Sequence, residues 1–179
     1  MIFKETELKG AYSIQLEQKQ DERGFFARSF CREEFRQQGI DFNITQSNIS
    51  FNKNKGTLRG LHYQISPHEE AKLVSCPKGA IYDVIIDLRL HSPTYCKWLA
   101  IELSAQNYTS FYIPKGFAHG FLTLAPDTVV LYQMSEPYYP ESSRGIRWND
   151  PAFLINWPSD KQIISTKDKA YPLFNKNIL

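Results

Sequence analysis

The sequence has few cysteines and almost no net charge, and both shortages exclude classes of protein. Three cysteines are scattered through its 179 residues, at Cys31, Cys76 and Cys96, and none of them forms a CxxC pair. A zinc site or a disulfide framework is therefore not predicted. The formal net charge is only +2, which does not indicate a nucleic-acid-binding or membrane-associated surface.

Long apolar stretches are also missing. No run reaches the roughly 18 apolar residues that a membrane-spanning helix needs. The N-terminal segment, residues 1–10, is charged and has no apolar stretch of the kind found in a signal peptide. We therefore expect a cytoplasmic protein without a membrane or nucleic-acid partner.

The sequence does contain many short β-rich runs. Turn-forming segments such as Pro77-Lys78-Gly79 and Pro114-Lys115-Gly116 separate many of them, at a spacing of about ten residues. This pattern predicts an all-β sandwich or barrel. The predicted strands are Ala11–Leu16, Phe25–Phe30, Phe42–Ser50, Thr57–Tyr63, Lys72–Cys76, Ala80–Leu88, Trp98–Leu103, Phe111–Ile113, Phe117–Leu124 and Thr128–Met134.

One helix and one irregular segment complete the predicted domain, which spans residues 1–179. The helix covers Arg32–Gln38, and Gly39 takes the position that ends it. A tail with little regular structure begins near Pro137, because five prolines interrupt it. Three aromatic residues are expected to hold this tail against the body: Trp148, Phe153 and Trp157.

Two of the four histidines, His62 and His119, lie in predicted strands. A strand histidine among apolar neighbours commonly does no more than donate to a backbone carbonyl. His62, however, has two cationic residues nearby: Arg59 precedes it by three residues, and Lys72 opens the next strand. This company favours a functional role for His62. Jelly-roll metalloenzymes often carry a His-x-His pair, but Gln64 stands where the second histidine would be, so no metal site is predicted.

The spacing of Arg59 and His62 sets a geometric condition on a shared site. Residues three apart point to opposite faces of a regular strand. Both can face one cavity only if the strand is interrupted between them, and Gly60 suits a β-bulge. We therefore predict an irregularity at Gly60–Leu61. A phenol at Tyr132 lies in a later apolar strand, where it is either a core residue or part of a pocket wall.

Several motifs occur together in a fixed order. They are DERGFF (21–26), TLRGLHYQ (57–64), KLV (72–74), IPKGFAHGF (113–121), LY (131–132), WNDP (148–151) and STKD (165–168). This set, from about Glu7 to Lys169, resembles the dTDP-4-dehydrorhamnose 3,5-epimerase family. The resemblance implies a cupin-like jelly roll, a homodimer and an isomerase that needs no cofactor.

The resemblance also implies roles for individual residues. The position of His62 is that of a base paired with Asp168, and Tyr132 matches the acid on the other side of the sugar ring. Lys72 and Arg59 match positions near the substrate oxyanion and phosphates. Further substrate contacts are implied at Gln46, Asn48, His119, Glu141 and Lys167, and, from the partner subunit, at Arg23, Phe26 and the neighbouring Arg28.

The chemistry explains why these residue types are needed. A ketone at C4 acidifies the hydrogens on C3 and C5, and loss of either proton gives an enolate. Inversion requires a proton returned from the opposite face, so a base and an acid must face each other. Histidine suits the base, a carboxylate fixes its tautomer, and a cation stabilises the oxyanion.

One residue departs from the family pattern, and it leaves alternatives open. Members with established dTDP-rhamnose roles usually have a glutamate where this chain has Arg28, among the contacts to the nucleotide. An enzyme that epimerises only one carbon, or that uses a CDP- or GDP-linked sugar, is therefore kept as an alternative. A sugar 3,4-ketoisomerase and a non-catalytic sugar-binding jelly roll are the remaining alternatives, and the combined His62, Lys72, Tyr132 and Asp168 set favours epimerisation over both.

Overall fold

The computed structural model of the protein describes residues 1–175, so the last four residues of the predicted tail lie outside it. Strands dominate this part of the chain, with two short helices. None of its helices is long and apolar enough to cross a membrane. In chain order the elements are β1 (Ile2–Glu5), β2 (Tyr12–Gln15), β3 (Lys19–Asp21), β4 (Gly24–Phe26), α1 (Arg32–Gln37), β5 (Gln46–Asn52), β6 (Thr57–Gln64), β7 (Lys72–Lys78), β8 (Ala80–Asp87), β9 (Trp98–Ser104), β10 (Thr109–Ile113), β11 (Phe117–Thr123), β12 (Thr128–Met134), β13 (Ser143–Gly145), β14 (Ile163–Ile164) and α2 (Thr166–Lys169).

Two larger sheets form the body. The first has the strand order β1-β2-β10-β7-β12-β5, and the second has the order β13-β6-β11-β8-β9. Strand β14 pairs in parallel with β6, the other pairs are antiparallel, and β3 and β4 form a separate hairpin. The two sheets pack face to face as a cupin-like jelly roll, so the predicted all-β class is confirmed.

The core between the sheets draws apolar side chains from both of them. Val74 and Val130 come from the first sheet, and Ile85 and Phe121 come from the second. Alternation along each strand explains the layering, because successive side chains point to opposite faces. In β7, for example, Val74 points into this core, whereas Leu73 packs in a separate cluster on the outer face of the first sheet.

Each sheet is also covered on its outer face. The segment around α1 covers the first sheet with an aromatic cluster that includes Phe35 and Phe42, both fully buried. The C-terminal tail covers the second sheet with Ile146, Phe153 and Trp157. The indole N–H of Trp157 donates to the carbonyl of Trp148 at 2.9 Å, which ties the predicted aromatic residues of the tail together.

The structure corrects the bounds of two predicted strands. Strand β4 ends at Phe26, so the predicted strand Phe25–Phe30 is wrong beyond that residue, and β5 covers Gln46–Asn52 instead of Phe42–Ser50. The physical reason is that Phe30 and Phe42 belong to the aromatic cluster under α1, where they pack on Phe35. These residues are apolar because they pack in this cluster, although they do not belong to a β-strand. The helix ends at Gln37, one residue earlier than predicted, and Gly39 takes its predicted place after the C-cap residue Gln38, at φ +76°.

Candidate active site

A β-bulge in β6 brings Arg59 and His62 to one side of the second sheet. Strand β11 pairs His119 with His62 and Phe121 with Arg59, so two residues of β6, Gly60 and Leu61, lie opposite the single residue Gly120 of β11. The predicted irregularity at Gly60 is therefore confirmed. Glycine is required there, because φ is +114° and an added Cβ would lie 2.6 Å from Cα of Gly120.

The bulge opens onto a cavity of about 420 Å³ between the two sheets, a volume typical of small-molecule sites. Its walls face each other, because one belongs to the first sheet and one to the second. His62 projects from β6 in the second sheet, and Tyr132 projects from β12 in the first. Other predicted residues that line the cavity are Gln46, Asn48, Arg59, Lys72, His119 and Lys167.

A buried carboxylate orients His62. Nε2 of His62 lies 2.8 Å from Oδ1 of Asp168, while the other carboxylate oxygen accepts from the Gly60 amide at 3.3 Å. Ser165 caps α2 by accepting from the Asp168 amide at 3.0 Å, which fixes the aspartate at the first turn. Burial works to raise the pKa of Asp168, but these hydrogen bonds, led by the one from His62, hold it below its usual value.

Lys72 is the buried cation of the cavity. Its ammonium pairs with Glu70 at 3.0 Å and donates to the backbone carbonyl of His62 at 3.3 Å. Both side chains of the ion pair are more than nine-tenths buried. The second carboxylate oxygen of Glu70 has no hydrogen-bond partner within the described residues. This arrangement places a positive charge beside the backbone of the proposed base.

A second histidine–aspartate pair joins the cavity wall to the buried interior of the second sheet. His119 on β11 contacts Asp83 on β8, with 2.8 Å between Nε2 and Oδ1. Asp83 is fully buried, and burial raises its pKa against the opposing effect of His119 and Lys72. Sequence reasoning missed Asp83, although an aspartate in the middle of the apolar strand β8 was a usable signal. Nowhere in residues 1–175 are three or more His, Cys, Asp or Glu side chains grouped so that they could hold a metal ion.

Amide side chains hold part of the tail over the cavity. Oε1 of Gln46 accepts from the Tyr138 amide at 3.1 Å, and Oε1 of Gln64 accepts from the Tyr139 amide. Tyr138 therefore lines the cavity mouth. Sequence reasoning did not place the following lining residues: Ser50, Tyr63, Gln64, Glu70, Gly120, Phe121, Met134, Tyr138, Ser143 and Tyr171. Glu70 could have been found as a nearby acidic residue, since it lies only two positions before Lys72 in the sequence.

Four predicted contacts lie outside the cavity of their own chain. Phe26 on the β3–β4 hairpin is 73% exposed, and Arg23 at the hairpin turn pairs with the neighbouring Asp21. Arg28 pairs with Glu34 at 2.7 Å on α1. Glu141 is exposed, and its carbonyl accepts from Arg144.

A histidine–carboxylate pair and a phenol on opposite walls of a sugar-sized cavity, within a jelly roll, define a carbohydrate epimerase. The comparison with protein families agrees: the model for dTDP-4-dehydrorhamnose 3,5-epimerase matches residues 5–176. A relative from Methanothermobacter thermautotrophicus with that name is 42% identical over 178 residues, covering 98% of this chain and 95% of the relative. The chain belongs to the dTDP-4-dehydrorhamnose 3,5-epimerase family, which is a family of isomerases.

Solved structures of similar proteins agree with the fold. The Bacillus anthracis dTDP-4-dehydrorhamnose 3,5-epimerase, with TDP and pyrophosphate bound, is 40% identical with a TM-score of 0.94, covering 97% of this chain and 99% of that one. A Legionella pneumophila 3,5-epimerase in complex with dTDP-4-keto-L-rhamnose is 39% identical with a TM-score of 0.91, covering 99% and 94%. Both similarities extend over nearly the whole chain.

Proposed function

We propose that this chain inverts C3 and C5 of dTDP-4-keto-6-deoxy-D-glucose by proton removal and return. The observation that carries the proposal is the placement of His62 and Tyr132 on opposite sheets around one cavity. A hexose ring held between them has a base on one face and an acid on the other. The family membership of the chain supports the same reaction.

The first step is proton removal by His62. Because Asp168 occupies one ring nitrogen at 2.8 Å, the other nitrogen is available to the substrate. The C3–H bond breaks, its proton passes to that nitrogen, and its electron pair becomes part of the enolate. Asp168 stabilises the resulting imidazolium, because its depressed pKa keeps it ionised at neutral pH.

Lys72 is the group we assign to the enolate oxygen. Its ammonium is preorganised by Glu70 and by the His62 carbonyl, so it needs little rearrangement when charge develops on the C4 oxygen. The pairing with Glu70 also explains how a lysine can be buried at this position. Removal of a preorganised donor of this kind commonly lowers kcat by about 10²–10³-fold.

Tyr132 completes the inversion. Its hydroxyl returns a proton to the face of C3 opposite His62, and the C4 carbonyl re-forms. The tyrosinate regains a proton from solvent and His62 releases its own, after which the same cycle inverts C5. Tyr132 pairs in register with Asn48 on β5 and Val74 on β7, so the position of β12 between these two strands holds the phenol in place.

We assign the nucleotide side of the site to a second copy of the chain. The hairpin carrying Arg23 and Phe26 is exposed and leaves its own cavity untouched. The outer face of edge strand β5 also exposes Ile49 (72%) and Phe51 (55%), and exposed apolar surface of this kind marks an interaction site. A homodimer that covers this face and inserts each hairpin into the partner's site accounts for both features.

Hybrid dimers test that assignment. His62→Ala removes the base from one chain, and a combined Arg23→Ala and Phe26→Ala variant removes the hairpin contacts from the other. Each variant alone is expected to be inactive. After mixed refolding, one site per hybrid dimer is intact, so activity returns. No recovery in hybrids whose formation is verified by mass spectrometry would exclude the exchange of hairpins.

The reaction itself is tested in heavy water. Incubation of dTDP-4-keto-6-deoxy-D-glucose with the protein is expected to introduce deuterium at both C3 and C5, as read by NMR. His62→Ala should abolish the exchange, while His91→Ala, on an exposed turn, serves as the matched control. Label at one carbon would indicate a mono-epimerase, migration of the carbonyl to C3 a ketoisomerase, and no label a binding protein.

The nucleotide preference requires a separate comparison. Arg28 stands where the family usually has glutamate, and in this chain it is held by Glu34. We propose dTDP as the nucleotide, and equal assays with CDP- and GDP-linked substrates measure the preference. Arg28→Glu should change KM for the dTDP substrate without changing the positions of deuterium label. A cytoplasmic location is part of the same proposal, because nucleotide-sugar substrates are made there.

A further inference from the structure

The side chain of Tyr171 lies beside His62, in the space where a side chain on the neighbouring strand would otherwise be. Strand β13 pairs with β6, and the residue directly opposite His62 is Gly145. An added Cβ at Gly145 would lie 2.4–2.6 Å from three ring atoms of Tyr171. Opposed residues on antiparallel strands are normally side-chain neighbours. The aromatic ring from the tail therefore takes the place of a cross-strand neighbour of His62.

The ring of Tyr171 contacts the imidazole itself. The two ring centroids are 5.7 Å apart and the planes meet at 64°, an edge-to-face arrangement. Tyr171 also lines the cavity and is half-buried. Asp168, three residues earlier in the same segment, holds the imidazole by its Nε2. A short stretch of the tail thus delivers two contacts to one histidine.

We propose that Tyr171 is a positioning residue for His62, packing the imidazole into the orientation in which Asp168 holds it and closing that side of the cavity. The inference rests on the proposed role of His62 as the base. A hydrogen bond to one ring nitrogen leaves the ring free to tilt about that bond. Packing by an aromatic edge removes this freedom, which matters because small misplacements of a catalytic group are costly.

Gly145 is part of the same device. It lacks a side chain, and its backbone does not require glycine, since φ lies outside the positive range. The backbone of Gly145 could therefore adopt the same conformation with alanine, but the alanine Cβ would clash with the Tyr171 ring. Gly145→Ala is therefore expected to move the Tyr171 ring, while His62, Asp168 and Tyr171 keep their native side chains. It offers an independent way to perturb the contact between Tyr171 and His62.

The first readout needs no substrate. The proton on the His62 nitrogen bonded to Asp168 should give a downfield imidazole N–H signal in NMR. We expect Tyr171→Ala and Gly145→Ala to broaden or remove this signal and Tyr171→Phe to keep it. Phe174→Ala is the matched control, because it loosens the same tail at its contact with Phe153 without touching His62.

The second readout is kinetic. Tyr171→Ala and Gly145→Ala should lower kcat by about 10- to 100-fold, the usual loss for a supporting residue, with little change in KM. Because both act through one contact, the double variant should be no slower than Tyr171→Ala alone.

Two results would overturn the proposal. One is a Tyr171→Ala variant that keeps the downfield signal and a kcat within twofold of wild type. The other is an equal loss in Phe174→Ala, which would assign the effect to the tail as a whole. Should Tyr171→Ala not fold, Tyr171→Leu is judged by the same two measurements. If the wild-type protein does not epimerise the sugar, the NMR signal still decides whether Tyr171 positions the imidazole.

Discussion

Replacement of Asp168 by asparagine is the sharpest single perturbation of the proposed base. The substitution keeps the shape of the side chain and an oxygen for the His62 N–H, while it removes the negative charge 2.8 Å from the ring nitrogen. The charge matters most after proton removal, when the imidazole becomes a cation. We therefore expect Asp168→Asn to lower kcat more than it raises KM.

The magnitude follows from the geometry. A hydrogen bond to a charged group contributes about 1.5–3 kcal/mol, and two unit charges about 4 Å apart interact by about 4 kcal/mol at an effective dielectric constant of 20. The His62 side chain is 39% exposed, so solvent screens part of the second figure. A loss of about 2–3 kcal/mol corresponds to a roughly 30- to 150-fold lower kcat.

The assay is the rate of deuterium uptake at C3 and C5 under substrate saturation, with wild type and Asp168→Asn compared. A deuterium-uptake rate in Asp168→Asn within fivefold of the wild-type rate would refute the assigned role of the carboxylate.

The stability of the fold provides a second check on Asp168. Because the folded-state pKa of Asp168 is depressed, its carboxylate stabilises the fold above the unfolded-state pKa, and this contribution is lost as the pH falls through the folded value. Urea unfolding of wild type and Asp168→Asn should therefore give free energies of unfolding whose difference becomes smaller below about pH 4.

Two further predictions concern the bulge and the buried cation. Gly60→Ala should lower the free energy of unfolding by about 2–5 kcal/mol, because it adds a clash with Gly120 to an unfavourable φ. Gly24→Ala is the control, because Gly24 has a similar φ of +127° but open space around it, and its loss in the free energy of unfolding should be smaller by about 2 kcal/mol. Equal losses for the two variants in urea unfolding would contradict the predicted clash with Gly120. Lys72→Met should lower kcat by about 10²–10³-fold and also destabilise the fold, because it leaves Glu70 buried without its partner. Adding Glu70→Gln should restore stability and leave kcat low; recovery of kcat in that double variant would exclude an oxyanion role for the lysine.

The sequence predicted the features that depend on local spacing. Turn residues at short intervals indicated the sandwich, and most strands lie where alternation placed them. The parity of Arg59 and His62 required an interruption at Gly60, and the register of β6 against β11 contains one. Glycine there could be foreseen because few other residues allow the backbone to turn so sharply within a strand.

Features that depend on the order of strands in space could not be predicted in this way. Asp83 meets His119 only because β8 lies beside β11, and no local pattern specifies that neighbour. The contact of Asp168 with His62 spans 106 positions and was expected only from the family resemblance. The place of Tyr171 depends on a tail whose path follows from burial, and apolar residues such as Phe42 imitate a strand pattern for the same reason.

The proposed inversion requires that a base and an acid on opposite walls of the cavity act on one sugar ring. Tyr132→Phe in heavy water tests it most directly, since the variant keeps His62 and lacks the opposing proton donor. We predict that deuterium still enters the substrate at C3 with configuration retained, while the inverted product falls by at least about 100-fold, a common contribution of a general acid. Inversion at the wild-type rate in Tyr132→Phe would exclude Tyr132 as the acid opposite His62.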